Sequence, residues 1–316
     1  MAEIDKKATR EGYGEALIEL GKTHDDFIVL DADLAAATKT GAFKKVFPER
    51  FYNCGIAEQN MMSIAAGVAA TGKKVFASSF AMFAAGRAFE QVRNAIGYPH
   101  LNVKVCATHA GISVGEDGAT HQCNEDIALM RTIPDMVIIN PADAVEAKKA
   151  IEVLYDYEGP AYVRLGRLAV PVFNDDDYTF EIGKAKTVKE GTDVTIIATG
   201  LLVNEAILAH ELLSAEGISA EIINMATIKP LDTEAVLASA KKTGTVVTAE
   251  EHSVVGGLGS AVSEYLSEVC PTPVIRVGVR DEFGYSGPAN DLLDKFGLRA
   301  KDLAEAAKKA IQMKQK

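Results

Sequence analysis

The chain has 316 residues, of which 48% are hydrophobic and 24% charged, a balance typical of a globular protein of about two domains. Its net charge of −11 argues against nucleic-acid binding, which needs a basic surface to displace counterions. No apolar run predicts a membrane span, and the first residues lack the apolar stretch of a secretory signal, so we expect a cytoplasmic protein with no membrane contact.

The first part of the chain alternates predicted helices with short buried strands, from residue 11 to residue 167. The predicted strands are 27–30, 75–80, 102–108, 136–139 and 160–165, and the predicted helices are 11–20, 58–70, 84–96, 124–133 (with Asn124 as N-cap) and one that begins at Asp143. Asp143 and Glu146 have the spacing of a capping box. The helix over 58–70 is apolar almost all round, which indicates burial in a core or against a partner.

The second part of the chain resumes this alternation from residue 193. The predicted strands are 193–199, 219–224, 245–249 and 274–279, and the predicted helices are 203–216, 232–243, 258–269 and 300–315. Residues 171–192 break the pattern with an acidic run and turn-forming glycines, which is typical of a linker.

Short apolar strands that alternate with helices predict parallel sheets covered on both faces. The predicted fold class is therefore α/β, with two three-layer α/β/α domains and mostly parallel sheets. The expected boundaries are a first domain over residues 1–172, a linker over 173–192 and a second domain over 193–316.

Ligands of such sheets bind beyond the carboxyl ends of the strands, where four junctions carry functional groups. At the first junction Glu58 either caps the apolar helix, as its spacing alone favours, or is a buried carboxylate kept for proton transfer. At the second junction Phe80 and Phe83 follow a strand. They are either core residues, as spacing alone favours, or a stacking face for a planar ring.

The third junction is the segment 108–122, with two histidines, two acids and three glycines. The glycines suit an irregular loop in which backbone approaches a ligand closely. His109 and His121 are twelve residues apart with no third ligand at standard spacing, so a polar substrate site is favoured over a metal site. At the fourth junction Arg164 and Arg167 could together clamp a phosphate, although either alone could form a surface salt bridge.

Five motifs carry a resemblance to a known family. They are Gly-Ile-Ala-Glu-Gln-Asn (55–60), Gly-Glu-Asp-Gly-Ala-Thr-His-Gln (115–122), Ile-Ile-Asn-Pro-Ala-Asp (138–143), Asn-Met-Ala-Thr-Ile-Lys-Pro-Leu-Asp (224–232) and Glu-Glu-His-Ser-Val-Val-Gly-Gly-Leu-Gly (250–259). From about Lys7 to its end, the chain resembles the C-terminal half of transketolase, a thiamine-diphosphate enzyme. The motif at 115–122 is the most specific, because it separates transketolases from most of their relatives.

The resemblance implies a role for each matched position. Glu58 matches the glutamate that hydrogen-bonds N1′ of the cofactor, where proton exchange favours the imino form that deprotonates the thiazolium carbon. The resemblance also places Phe80, Phe83 and Asp33 with the cofactor, and counts His109 and His121 with Glu58 among the catalytic residues. The implied substrate contacts are Arg10, His109, Asp117 and Arg167, of which Asp117 matches an aspartate that contacts a sugar hydroxyl.

Two departures from the family pattern bear on phosphate and metal binding. Transketolases usually carry a phosphate-binding serine after Ala-Asp-Leu, where this chain has Ala37, with Thr38 as a possible substitute. The Gly-Asp-Gly motif that binds diphosphate and Mg²⁺ in the family is missing, because the Asp-Gly pair at 117–118 follows Glu116. The resemblance thus implies that this chain holds no metal. Thiamine diphosphate would lie in a site shared with an N-terminal transketolase subunit, which would bind the Mg²⁺.

The implied function is transfer of a two-carbon ketol unit between phosphorylated ketose and aldose sugars, as in the pentose phosphate pathway, by an α2β2 heterotetramer that includes self-association. The alternative is a related thiamine-diphosphate enzyme, either deoxyxylulose-phosphate synthase-like or the beta subunit of a 2-oxo acid dehydrogenase. His109, Asp117 and Arg167 disfavour the dehydrogenase, because a 2-oxo acid has no distant phosphate. Glu58 disfavours a non-enzymatic scaffold. In the second part, His252 is interpreted as structural, and the glycines at 256–259 are weak evidence for a phosphate site.

Overall fold

The computed structural model describes residues 5–314, which fold around two main sheets. The strands are Lys6–Lys7, Phe27–Asp31, Phe51–Asn53, Lys74–Phe80, Val103–Thr108, Val137–Ile139, Ala161–Arg164, Val170–Pro171, Lys186–Lys189, Val194–Ala198, Ala220–Asn224, Thr227–Lys229, Val246–Ser253 and Val274–Val279. The α-helices are Thr9–Thr23, Ala35–Thr38, Thr40–Val46, Glu58–Ala69, Phe89–Gln91, Asp126–Arg131, Ala144–Asp156, Leu202–Ala215, Thr233–Thr243, Leu258–Val269, Ala289–Lys295 and Ala300–Lys314. Over these residues, no helix combines the length and the apolar character needed to cross a membrane.

The first domain is built on a sheet of seven strands among the described residues. Their order is Thr227–Lys229, Val137–Ile139, Ala161–Arg164, Val103–Thr108, Lys74–Phe80, Phe27–Asp31 and Phe51–Asn53. Neighbours run parallel except at Thr227–Lys229, an edge strand that the second half of the chain contributes. Side chains alternate between the two faces, so Leu30 and Ala77 pack into one helical layer while Val29 and Phe76 pack into the other.

The second domain repeats this design around a smaller sheet. Its strand order is Val274–Val279, Val246–Ser253, Val194–Ala198, Ala220–Asn224 and Lys186–Lys189. The first four strands are parallel, and the last is antiparallel to its neighbour. Ile196 and Ile197 again point to opposite apolar layers. The two sheets confirm the predicted three-layer α/β/α fold class with mostly parallel strands.

The predicted linker over 173–192 contains regular structure. Lys186–Lys189 pairs with Ala220–Asn224 and covers an edge of the second sheet. The sequence did not predict this strand, because three of its four side chains are exposed. The rest of the linker and the domain boundaries stay predictions.

Two helices of the first domain begin or wind differently from expectation. The predicted helix over 84–96 consists of helical segments from Met82 to Gly97 that a turn at Ala88 interrupts, and two of these segments are π-helical, with amides bonded to carbonyls five residues back. Asn124 is not an N-cap, since the helix begins at Asp126 after Glu125. The carbonyl of Asn124 instead accepts a 2.7 Å hydrogen bond from the amide of Ser253, which holds this residue outside the helix.

The helix that follows Val137–Ile139 has the predicted cap. The amide of Glu146 donates to Oδ1 of Asp143 across 2.8 Å, and the helix runs from Ala144 to Asp156. The reciprocal bond is shifted by one residue, because Oε2 of Glu146 accepts from the amide of Ala142 at 2.7 Å. Two residues three positions apart thus predicted this helix start.

The helix Glu58–Ala69 is buried on one face only within this chain. Met61, Met62 and Ala65 pack against the first sheet, while Ser63 and Ile64 are exposed. The core alternative thus holds for one face of the helix, because the sheet covers one side. Burial of the outer face against a partner stays a prediction.

Candidate active site at the carboxyl ends of the first sheet

Glu58 is a buried carboxylate that is paired with an arginine. It is the first residue of its helix, and 2% of its side chain is exposed. Nη1 of Arg87 donates to its Oε2 across 3.0 Å, and the Arg87 side chain is 49% exposed. This pairing offsets the cost of burying a carboxylate. Arg87 was not predicted from the sequence, although it is the lone charged residue in the apolar run 81–89.

Two phenylalanines and two histidines form a contiguous group of rings beside this ion pair. Phe80 stacks on Phe83 with ring centroids 5.9 Å apart, and on His109 with centroids 3.8 Å apart. His121 meets Phe83 edge-on at 5.4 Å, and the guanidinium of Arg87 lies 4.5 Å from the Phe83 centroid. The structure therefore brings together residues that the sequence placed at two separate junctions.

A cleft of about 400 Å³ opens between Glu58 and these rings. It is lined by Ala32, Asp33, Leu34, Ile56, Glu58, Phe83, Arg87, Thr120 and His121. Asp33 lies on its exposed rim, where Oδ1 accepts from Nδ2 of Asn53 at 2.8 Å. Apolar walls with one buried carboxylate, Glu58, and a second carboxylate on the rim suit a flat ring that carries a basic nitrogen, so these residues fit an aminopyrimidine.

His109 is held as a neutral imidazole. It is buried, and Arg10 donates from Nη1 to its Nε2 across 3.2 Å. Since arginine is only a donor, Nε2 must accept, and the Nδ1 hydrogen donates to Oγ1 of Thr108 at 2.9 Å. Burial first, and then the positive charges of Arg10 and Arg167, lower the pKa of His109 to about 3. At neutral pH His109 acts as a hydrogen-bonding group without charge.

Arg10 also donates a hydrogen bond to Ala37, the residue that stands where the family usually has a serine. Its Nη1 donates to the carbonyl of Ala37 across 2.9 Å, and burial lowers its pKa. The Nε atom of Arg10 is buried with no hydrogen-bond partner among the described residues. Thr38 is no substitute for the serine, because its buried hydroxyl donates to Oδ2 of Asp31 at 2.6 Å.

Arg164 and Arg167 do not form a joint clamp. Arg164 is buried, with Nε 2.8 Å from Oδ2 of Asp126 and Nη2 2.8 Å from the carbonyl of Glu251. Arg167 has a side chain that is 38% exposed, and its Nη1 lies 3.2 Å from Oε2 of Glu116. The predicted phosphate contact is therefore wrong for Arg164, which joins the two domains. Arg167 lies close enough to His109 for its charge to lower the pKa of that histidine.

The segment 108–122, called the glycine loop below, carries the remaining predicted residues. His121 shares a 3.0 Å hydrogen bond between its Nδ1 and Oγ1 of Thr120, beside the ring group. Asp117 is exposed at the loop tip, within the turn closed by a 3.1 Å bond from the amide of Gly118 to the carbonyl of Gly115. Both side chains lie on the same loop as His109.

The second-domain motif at 250–259 is structural. The carboxylate of Glu250 accepts from the amides of Leu258 and Gly259 at 2.7 and 2.8 Å, so it occupies the helix start where a phosphate could bind. His252 is buried, with Nε2 accepting from the amide of Ala128 and Nδ1 donating to the carbonyl of Ser253. Burial lowers the pKa of His252 to about 4. Within residues 5–314, no three His, Cys, Asp or Glu side chains are grouped as a metal site.

Two family models match the chain and together cover most of it. Residues 5–172 match the pyrimidine binding domain of transketolase, and residues 183–303 match the transketolase C-terminal domain. The chain belongs to the transketolase family. Its fold matches a solved structure described as a split gene transketolase, inactive beta4 tetramer, with a TM-score of 0.92 and 54% identity over 97% of this chain and 99% of that one.

Several relatives of this transketolase-family chain have nearly its length. A Methanocaldococcus jannaschii protein, named as a transketolase C-terminal section, is 54% identical over 95% of each chain. A 6-deoxy-6-sulfo-D-fructose transketolase subunit of Clostridium sp. is 44% identical over 98% of this chain and 97% of the relative. One subunit of the apulose-4-phosphate transketolase of Phocaeicola vulgatus is 41% identical over 95% of this chain and 96% of the relative. The chain is thus a split transketolase-like protein, and its family implies dependence on thiamine diphosphate.

Proposed function

We propose that this chain is the C-terminal component of a two-chain transketolase, which transfers a two-carbon ketol unit between phosphorylated sugars. One continuous row of contacts carries this proposal. From Glu58 it passes to Arg87 at 3.0 Å and on to Phe83 and Phe80. It ends at His109, whose ring centroid is 3.8 Å from that of Phe80 and which accepts a hydrogen bond from Arg10. A proton-exchanging carboxylate at one end and a cationic group at the other suit a cofactor and an anionic sugar.

At the carboxylate end, this chain's residues would hold the pyrimidine ring of thiamine diphosphate. When bound, that cofactor supplies a carbon nucleophile for the ketose carbonyl. Glu58 would hold a proton at the ring nitrogen N1′, and its burial keeps water from competing for that proton. Phe80 and Phe83 would pack against the ring, and Asp33 would contact it from the rim of the cleft.

At the cationic end, the charges of Arg10 and Arg167 would bind the terminal oxyanion of the sugar. His109 adds a neutral hydrogen-bonding group beside them, which lets the site bind a hydroxyl without repelling the two arginines. Asp117 and His121 lie on the same loop as His109. They would contact sugar hydroxyls nearer the reacting bond. The named substrates of the relatives carry a sulfonate or a phosphate, so the proposal specifies a terminal oxyanion and no particular sugar.

A partner chain completes the proposed enzyme. The sequence lacks the Gly-Asp-Gly motif for diphosphate and Mg²⁺, and relatives of similar length are named as a C-terminal section or as subunits. We infer an N-terminal transketolase subunit that holds Mg²⁺, in an α2β2 assembly. The relative described as an inactive beta4 tetramer supports self-association of this chain without the partner.

Titration calorimetry tests the shared site. Thiamine diphosphate with Mg²⁺ is titrated first into this chain alone and then into this chain with its co-purified or neighbouring-gene partner. We expect binding only in the presence of the partner, followed by ketol transfer between phosphorylated sugars. Tight binding to this chain alone would contradict the split site. Turnover of 2-oxo acids in place of sugars would favour the dehydrogenase alternative.

A further inference from the structure

The second domain contacts the glycine loop through Gln122. The Nε2 atom of Gln122 donates to the carbonyls of Ile112 and Gly115 within the loop, at 3.0 and 3.2 Å. The same atom lies 2.8 Å from the carbonyl of Tyr285 in the second domain. Gly284 makes this approach possible, since a Cβ there would collide with Oε1 of Gln122. One buried amide therefore shapes the loop and attaches it to the other domain.

Glu251 makes a second attachment. It lies in the strand Val246–Ser253 of the second sheet, and its Oε1 accepts from the amide of Ser113 at 2.5 Å. The carboxylate sits directly against the loop backbone, because a Cβ on Gly111 would collide with the Cδ of Glu251. The beginning of the loop is thereby fixed to the second domain by a hydrogen bond from a backbone amide to a buried carboxyl group.

Ser286 makes a third attachment at the loop tip. Its hydroxyl donates to the carbonyl of Glu116 across 2.5 Å, and it packs so closely on Gly118 that a Cβ there would lie 3.4 Å from the Cβ of Ser286. Glu116 precedes Asp117, the residue that we place against a sugar hydroxyl. Ser286 therefore acts on the backbone next to a proposed substrate contact, without being placed to touch the substrate itself.

The glycine loop needs such external bonds. Gly111, Gly115 and Gly118 all have positive φ angles, between +74° and +87°, and glycines lose the most conformational freedom when a loop is ordered. A loop that is ordered before the substrate arrives saves that cost at the moment of binding. Glu251 supplies such a bond from a strand of the second sheet, while Tyr285 and Ser286 supply theirs from the segment that connects the strand Val274–Val279 with the helix Ala289–Lys295.

We propose that the second domain acts as a clamp that holds the glycine loop in its substrate-binding conformation, with Ser286 and Gln122 as positioning residues. The side chains of the proposed cofactor and substrate contacts lie in the first domain, so the clamp gives the second domain a role in the reaction. The proposal rests on the proposed function for the identity of the substrate. The order of the loop in the chain itself is independent of that function.

The first experiment measures this order in the chain without any partner. Hydrogen–deuterium exchange of residues 111–122 is compared between the wild-type chain and Ser286→Ala. The control is Ser263→Ala, which removes a similar 2.7 Å hydroxyl-to-carbonyl bond, to Gly259, elsewhere in the second domain. We expect faster exchange in the glycine loop for Ser286→Ala alone, and restoration of slow exchange in Ser286→Thr. Equal exchange in all four proteins would overturn the clamp.

The second experiment measures ketol transfer with the N-terminal partner present. Loss of one hydrogen bond that orders the loop should raise KM for a phosphorylated donor sugar by about fivefold in Ser286→Ala. We expect kcat and the affinity for thiamine diphosphate to change less than about twofold, and Ser286→Thr to recover KM. A fall in kcat of about fivefold with KM unchanged would contradict a positioning role. If the wild-type pair transfers no ketol unit, the proposed function fails, while the exchange experiment still decides the clamp.

Discussion

Nη1 of Arg10 donates to Nε2 of His109 across 3.2 Å, a contact between residues 99 positions apart in the chain. It fixes both the tautomer and the charge of the histidine, because an arginine beside Nε2 excludes a proton there. The site therefore has two permanent cations, Arg10 and Arg167, around one neutral ring. The charge of this arrangement does not change with pH near neutrality, so the proposed binding of a sugar oxyanion should not depend on pH there.

The neutral state of His109 predicts that the free energy of unfolding falls as the pH is lowered. Its pKa falls from about 6.5 in the unfolded chain to about 3 in the folded chain, so the folded chain binds fewer protons and loses stability as pH falls from 6.5 towards 3. At pH 5 this loss is about 2 kcal/mol for one histidine. His109→Gln should lack it. Urea unfolding of the isolated wild-type and His109→Gln chains at pH 8 and pH 5 measures this. Between these pH values the free energy of unfolding should fall by about 2 kcal/mol less in His109→Gln than in the wild type. Equal losses in both proteins would contradict a neutral His109.

Glu58→Gln should remove activity and leave assembly intact. The glutamine keeps the size of the side chain and a hydrogen bond to Arg87, but it has no ionisable proton to exchange. Positioned proton transfer contributes about 10²–10⁴-fold, so kcat should fall by at least about 100-fold with the partner present. The control is Glu216→Gln, which changes an exposed glutamate of the second domain. Unchanged turnover in Glu58→Gln, with assembly checked by gel filtration, would refute the proton-transfer role.

Arg167→Met should weaken binding of phosphorylated sugars selectively. Charge-assisted hydrogen bonds are worth about 1.5–3 kcal/mol, so KM for a phosphorylated donor should rise by about tenfold to a hundredfold. KM for an unphosphorylated donor should change less than about twofold, because it has no oxyanion to lose. Arg280→Met, at an exposed position in the second domain, serves as the control. An equal rise for both donors would argue against an oxyanion contact.

Arg164→Met should destabilise the chain much more than Arg167→Met does. It leaves the buried carboxylate of Asp126 with its hydrogen bond from Tyr162 but without its cationic partner at 2.8 Å, and breaking a buried ion pair costs about 3–5 kcal/mol. Because Arg167 is partly exposed, its replacement should cost less than about 1 kcal/mol. Denaturant unfolding of the isolated chains measures both values. The double variant Asp126→Asn, Arg164→Met should be more stable than Arg164→Met, since position 126 no longer carries a buried carboxylate without its arginine.

Features that depend on neighbours in sequence were predictable. Short apolar strands between helices are enough to predict the layers, because burial on both sides of a sheet requires such runs. The Asp143 cap depends on an amide three residues away. For Glu58, spacing alone favoured a helix cap over a buried carboxylate kept for proton transfer. The family motifs then connected this carboxylate with Phe80, Phe83 and the glycine loop.

Features that depend on distant residues were decided by the tertiary structure alone. Arg164 and Arg167 are three residues apart and alike in sequence. Asp126, a carboxylate 38 positions away from Arg164, draws that arginine into the core and leaves Arg167 beside the site. In the same way, Arg10 sets the charge of His109, and Ser286 reaches the glycine loop across 170 positions. Local sequence determined which side chains this protein carries at its strand ends, while the packing of two domains determined which of them face solvent, a ligand or each other. The physical reason is that burial and charge pairing depend on distance in space, which a single sequence does not contain.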